Sequence, residues 1–282
     1  MKRWAQYTKE RFPLPVFLLL SCGYALSGLA CITWPIPVTE SFVASLLVML
    51  FLFELRLMDE YKDKEKDKVA HPERPLPRGL ITEVEVRRGI FVGLGVMLAS
   101  CVVLAATGKL AAAGLYLVIT IYLFLMYKEF FIGNWLGKRP FLYAVSHQPI
   151  GSLLALISIA LFSPEKTLSL PSLAYAATTL GGFFAYEVGR KLNPNSHPIL
   201  QTYVVAAGYA KTFVAFVLAL AVACAGIVFM QMPTWILVIP IITACSFLAL
   251  FFRPLWFKVV EGIATLNLVL CVWAGVILHF VK

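Results

Sequence analysis

Charge is scarce in this chain, and aspartate almost absent: 14% of its 282 residues are Asp, Glu, Lys or Arg, and the aspartates are Asp59, Asp63 and Asp67 alone. A soluble domain carries about a quarter charged and about half apolar residues. The 60% hydrophobic share and mean hydropathy of +0.84 exclude that class. The six cysteines, Cys22, Cys31, Cys101, Cys224, Cys245 and Cys271, all fall in apolar stretches with no short paired spacing. That excludes a disulfide framework and a zinc site and leaves small apolar packing as their role. With no Ser/Gly linker and no low-complexity tail, residues 1–282 read as one domain.

What is present is apolar sequence in membrane-length pieces. Windows of about twenty apolar residues, the length that crosses a hydrocarbon core, fit at 14–34, 38–58, 89–107, 109–127, 141–162, 169–189, 210–230, 234–252 and 260–280. The expectation is an all-α, polytopic membrane protein with nine transmembrane helices around a central cavity. Met1 to Pro15 carries four basic residues before the first apolar run, but no small-residue cleavage site follows, so the run is kept as a membrane helix rather than a signal peptide.

An odd number of crossings sorts the connections into two sets. All but Lys109, Lys166 and Lys282 of the 24 Lys and Arg fall on one side. By the positive-inside rule the N-terminus and the long loops at about 59–88 and 187–211 are cytoplasmic, in an inner or plasma membrane. The net charge of +9 then belongs to loops facing anionic lipid head groups, and no nucleic-acid partner is implied. Outer connections such as Trp34 to Pro37 and Gln231 to Pro233 are short, so function is expected on the cytoplasmic side. The two long loops lie four spans apart, which hints at a degenerate repeat contributing one polar loop from each half.

The three aspartates follow the second span at four-residue spacing. Each residue turns a helix by about 100°, so such steps keep carboxylates in one stripe, with Glu60 beside it. Asp59/Asp63, Asp63/Asp67, Lys62/Lys66 and Lys64/Lys68 are like-charge pairs at i,i+4, and within the run only Glu60/Lys64 is an opposite pair. A merely solvated helix gains from opposite charges at that spacing. Segregated acids instead suit a hard divalent cation. Within the spans, His147 and Gln148 interrupt the fifth, and an intramembrane ionisable group is a functional candidate.

Beyond the acids, Arg74-Pro75-Leu76-Pro77-Arg78-Gly79 forces a compact turn that would return Arg74 and Arg78 toward the carboxylates. Metal on some oxygens and bidentate Arg on others make two grips for a diphosphate. These residues resemble the UbiA-type intramembrane prenyltransferase superfamily, whose signature is NDxxDxxxD followed by RPLPxG after the second of nine helices. Asp59 stands at the Asn position, Glu60 at the first Asp, and Asp63 and Asp67 at the other two. The resemblance covers the whole chain in helix count and loop order. It implies Mg2+ held by Asp59, Glu60, Asp63 and Asp67, a prenyl diphosphate donor, and transfer of its prenyl group to an aromatic or lipid acceptor within the membrane.

The second loop departs from the family. Its acidic motif is replaced by Tyr186-Glu187-Val188-Gly189-Arg190-Lys191-Leu192-Asn193, which leaves Glu187 as the one acid and puts positive charge where a second metal would sit. Arg190, Lys191 and Asn193 join Arg74, Arg78 and Lys128 as candidate diphosphate contacts. Glu187 is a second-site acid or a group that orients the acceptor. Residues 128–135 would form an amphipathic cap or an interfacial aromatic belt. Other readings are diphosphate-leaving transfer of a phosphoribosyl type onto a lipid phosphate, marked by a polar donor pocket; a divalent-ion transporter, marked by acids at mid-membrane; and a degenerate family member acting as a scaffold.

Overall fold

Proline and capping residues set where the helices begin. Pro15, Pro140, Pro149 and Pro171 stand in the first turns of their helices, where a missing N–H costs nothing. Thr82 and Glu85 form a reciprocal capping box, with Glu85 N donating to Thr82 Oγ1 at 3.2 Å and Thr82 N to Glu85 Oε2 at 2.8 Å. In the computed structural model, which describes residues 2–200 and 202–281, the described residues contain helices and no strand.

The order is α1 (Lys2–Arg11), α2 (Leu14–Ala30), α3 (Val38–Lys62), α4 (Lys64–Ala70), α5 (Glu83–Ala106), α6 (Leu110–Tyr127), α7 (Gly133–Leu136), α8 (Pro140–His147), α9 (Pro149–Phe162), α10 (Leu170–Gly189), α11 (Tyr203–Phe229), α12 (Val238–Leu248), α13 (Phe257–Val272) and α14 (Ala274–Val281). Seven helical segments of the described residues are long and apolar enough to cross a membrane, or eight if α1 and α2, bent by 61°, count as one. Each of the nine expected windows falls on helix. α10 is 20 residues long but is not among the seven, because its middle is Ala, Thr, Gly and Tyr rather than Leu, Ile and Val. Those small residues are what a helix packed on all sides needs: α10 contacts α9, α11 and α13.

The apolar core has two parts, and α10 belongs to both. Ala174, Tyr175 and Ala176 join a cluster built with α2, α3, α5, α6 and α9, whereas Ala185 and Val188 join one built with α8, α11, α12 and α13. Helix α11 is interrupted at Gly208, whose φ of 79° and ψ of 168° lie outside the helical region. Only glycine takes that conformation without strain. The charged ends of α3, α4 and α10 meet at one end of this bundle, where the 3-10 turn Pro198–Leu200 packs on α4.

Candidate active site

The aspartates keep helical register through a break in the helix. Asp63 (φ −90°, ψ 5°) separates α3 from α4, yet its N–H donates to Asp59 O at 2.9 Å and Asp67 N–H to Asp63 O at 2.8 Å. Asp59 and Asp63 have side chains 33% and 39% exposed, with loose lysine partners: Lys62 Nζ at 3.4 Å and Lys66 Nζ at 3.9 Å. Burial of its inner side pushes the Asp63 carboxyl up from the ordinary range, with Asp59 and Asp67 adding and Lys62 and Lys66 opposing. Asp67 is nearly fully buried and takes Arg74 Nη1 at 2.6 Å. The Arg74–Gly79 turn is closed by Arg78 N donating to Arg74 O (3.1 Å) and Gly79 N to Leu76 O (3.1 Å), with Gly79 at φ 77°.

The 187–211 loop supplies a second charged group. Glu187 Oε2 accepts from Arg190 Nε at 2.6 Å, and Glu187 Oε1 lies 2.8 Å from Lys191 Nζ. Arg190 is within Coulombic reach of Asp59, which ties the two loops together electrostatically. Lys191 Nζ lies 5.6 Å from the Tyr203 ring. Between the loops stands Tyr143 of α8, whose OH receives Lys62 Nζ at 3.1 Å and reaches Glu129 Oε1 at 3.5 Å. Glu129, Phe130 and Phe131 form a left-handed turn, with φ of 48°, 54° and 61°, a conformation that non-glycine residues hold only when their surroundings impose it.

Below the charges lies an apolar groove of about 510 Å³, lined by Phe141, Val145, Phe184, Val214 and Leu218, with Lys211 beside them. Phe141 stacks on Tyr203 with ring centroids 5.6 Å apart, so the groove adjoins the charged cluster. A site polar at one end and hydrocarbon-lined at the other fits a charged head on an apolar tail.

The sequence profile of the UbiA prenyltransferase family matches residues 15–266. The chain belongs to the UbiA prenyltransferase family. It is an integral membrane prenyltransferase. Its fold is similar to that of a digeranylgeranylglyceryl phosphate synthase studied in membranes, at 16% identity and a TM-score of 0.58 over 97% of this chain and 100% of that one. It is also similar to the apo structure of a UbiA homologue from Aeropyrum pernix K1, at 15% identity and a TM-score of 0.62 over 94% and 98% of the two chains. No curated protein matches the chain.

Within this UbiA fold the expected residues divide. Asp59, Asp63, Asp67, Arg74, Glu187, Arg190 and Lys191 gather at one end of the bundle. Glu60 does not: it turns to the other side of α3, where Arg11 Nε meets its Oε2 at 2.8 Å, because one residue past Asp59 is about 100° around the helix. Arg78 pairs with Glu10 of α1 at 2.8 Å instead of the aspartates, and with Gln6 it holds the Glu10 carboxyl below its usual range. Lys128 lies over the rings of Tyr127 and Phe124. Asn193 Oδ1 accepts from Asn195 N at 2.9 Å, closing a local turn. Sequence reasoning missed Lys62, Tyr143 and Tyr203. Lys62 carried a signal, since it follows Asp59 by one helical turn.

The family implies a divalent metal, and the donor types fit one. Among the described residues no three His, Cys, Asp or Glu side chains converge on a common point. Mg2+ is nonetheless commonly held by one or two carboxylates together with waters and substrate phosphates. Asp59 and Asp63, accessible and only loosely paired, offer that pair of ionised oxygens.

Proposed function

We propose that this chain catalyses Mg2+-dependent transfer of a prenyl group from a prenyl diphosphate to an acceptor, with the charged cluster on the cytoplasmic side of a nine-crossing fold. Asp59 and Asp63 would hold Mg2+, which would draw charge from the diphosphate as it leaves. Asp67 fixes Arg74, so that its guanidinium stays at the acids without swinging away. Arg190 and Lys191 lean on Glu187 and present the second set of cations to the phosphates. The prenyl tail lies in the groove between Phe141, Phe184 and Leu218. Positive charge at the head stabilises the leaving group, while apolar walls keep water from the allylic carbon.

The observation that carries this reading is the run of contacts from the second loop to the groove: Glu187 holds Arg190 and Lys191, Lys191 Nζ lies 5.6 Å from the Tyr203 ring, and Tyr203 stacks on Phe141 in the apolar wall. A phosphoribosyl donor would want polar walls, which this groove lacks. An ion transporter would want its acids at mid-membrane, and these sit where α3 ends. Partition of Lys and Arg among the connections supports the nine crossings and the cytoplasmic N-terminus.

The test is purified protein with Mg2+ and a panel of prenyl diphosphates, reading diphosphate release in wild type and Asp63→Ala. Release by wild type alone supports the assignment. Equal release by both proteins removes the site.

A further inference from the structure

His147 ends α8 inside an apolar span, and the break there is built by sequence: Pro149 begins α9. The ring has two nitrogens in different situations. His147 Nδ1 lies 2.7 Å from Tyr143 O, and a carbonyl oxygen only accepts, so Nδ1 carries the proton. A neutral imidazole with Nδ1–H has a bare lone pair on Nε2. That Nε2 is buried and has no hydrogen-bond partner. Its direction is fixed, because the ring stacks on Tyr143 with centroids 4.2 Å apart and receives Phe130 edge-on at 5.5 Å.

The charged groups around this ring are the candidate active site itself. Lys62 and Asp59 of α3 and Glu187 of α10 lie within Coulombic range, and Tyr143 links the ring to Lys62 through its OH. Ser146 Oγ sits 3.1 Å from Nδ1, on the side away from Nε2. Lys211 of α11 lies in the groove beside Val145. A neutral imidazole whose Nε2 lone pair is bare is the form able to take a proton.

We infer that His147 Nε2 receives the proton of the acceptor during prenyl transfer, so that the acceptor is a molecule whose attacking atom carries a hydrogen and is placed between Nε2 and the charged cluster. This rests on the prenyl-transfer reading above. The allylic C–O bond of the donor breaks, and its electron pair leaves with the diphosphate. The acceptor atom's electron pair forms the new bond to the allylic carbon, and its proton moves to Nε2, giving an imidazolium that later passes the proton to solvent. Lys62 pushes that proton onward, and the Tyr143 carbonyl holds the ring in place throughout.

The experiment compares wild type with His147→Asn, whose amide nitrogen can keep the hydrogen bond to Tyr143 O while losing the Nε2 position, and with His147→Gln as a second variant. Transfer to acceptor is measured across pH together with donor KM. A general base contributes roughly 100- to 10,000-fold, so kcat should fall at least about 100-fold in both variants. Donor KM should stay within about threefold, and the acid limb of the wild-type pH profile should vanish. Unchanged kcat with the acid limb intact overturns the inference while leaving prenyl transfer standing. A fall in kcat matched by a rise in donor KM also overturns it, since that marks a structural role. If wild type releases no diphosphate from any donor, the prenyl-transfer reading and this inference fall together.

Discussion

Arg11 Nε and Glu60 Oε2, 49 positions apart, meet at 2.8 Å on the side of α3 facing away from the aspartates. The Glu60 side chain is 0% exposed, and its other oxygen, Oε1, has no hydrogen-bond partner. Arg78–Glu10 and Arg3–Glu85, both at 2.8 Å, complete a set of ion pairs that ties α1 to the connection carrying the aspartates. This amphipathic helix therefore acts as a clamp on the site rather than as part of it.

Removing one partner of that clamp should be costly. Arg11→Ala leaves the Glu60 carboxylate buried and uncompensated, a change that typically costs about 3–5 kcal/mol. Replacing both, Arg11→Met with Glu60→Leu, should recover most of the loss. Unfolding in detergent, followed by helical signal, measures each. Equal stability of the single and double variants would mean that the pair contributes little.

The same geometry separates two glutamate and aspartate roles that adjacency in sequence would merge. Asp63→Asn should raise the Mg2+ concentration for half-maximal diphosphate release by tenfold or more, on the order of 1.4 kcal/mol or above. The double variant Arg11→Gln with Glu60→Gln should leave that concentration unchanged. Parallel Mg2+ titrations of the two proteins decide it, and a matching rise in the Glu60 variant would put that side chain back among the metal ligands.

Much of this was legible beforehand, and what was not has a common cause. Four-residue spacing predicts the common register of Asp59, Asp63 and Asp67 because backbone register is local, and it survives the break at Asp63. The Arg74 return is likewise local, made by the proline-rich turn and Gly79. The partners that Glu60, Arg78 and Lys128 take in the structure are not legible in the sequence, because they lie on α1 or on aromatic rings whose positions depend on how helices dock. Helix α1 itself, bent by 61° from α2, was read as the basic flank of a span. Nothing in the period of its residues announces that Tyr7 will be fully buried. Helix α10, by contrast, is legible as the window 169–189 even though its small residues lower its hydropathy, for the same reason that they let it pack against α9, α11 and α13.

Arg190 and Arg78 offer a test of which cations face the donor. Arg190→Ala removes a guanidinium from the charged cluster, and a charge-assisted hydrogen bond is worth about 1.5–3 kcal/mol. Donor KM should rise about 10- to 150-fold. Arg78→Ala should shift KM by less than about threefold, because its partner is Glu10, and should instead loosen α1. Steady-state kinetics with one donor compare them directly. A larger KM effect at Arg78 would reverse the assignment.

Backbone proximity gives the last prediction. A Cβ at Gly181 of α10 would lie 2.3 Å from Ala223 N and 2.5 Å from Ala219 O on α11, atoms that cannot move without separating two helices. Gly226 is equally close to α10, at 2.5 Å from Thr178 N. Glycine is thus required on both sides of this contact, as at close helix crossings in membranes generally. Gly181→Ala should destabilise by about 1–3 kcal/mol or more through overpacking. Gly151 of α9 is the control, since the nearest atom to its Cβ would be Tyr24 OH at 3.7 Å, an ordinary contact. Gly151→Ala should be neutral or stabilising by about 0.5–1 kcal/mol, because alanine gives up less backbone freedom in a helix. Because α10 carries Glu187 at its far end and presents it beside Arg190, the Gly181 variant should also lose diphosphate release, whereas the Gly151 variant should keep it. Retention of full activity by a destabilised Gly181→Ala would show that the end of α10 is positioned by its loop and not by its packing against α11.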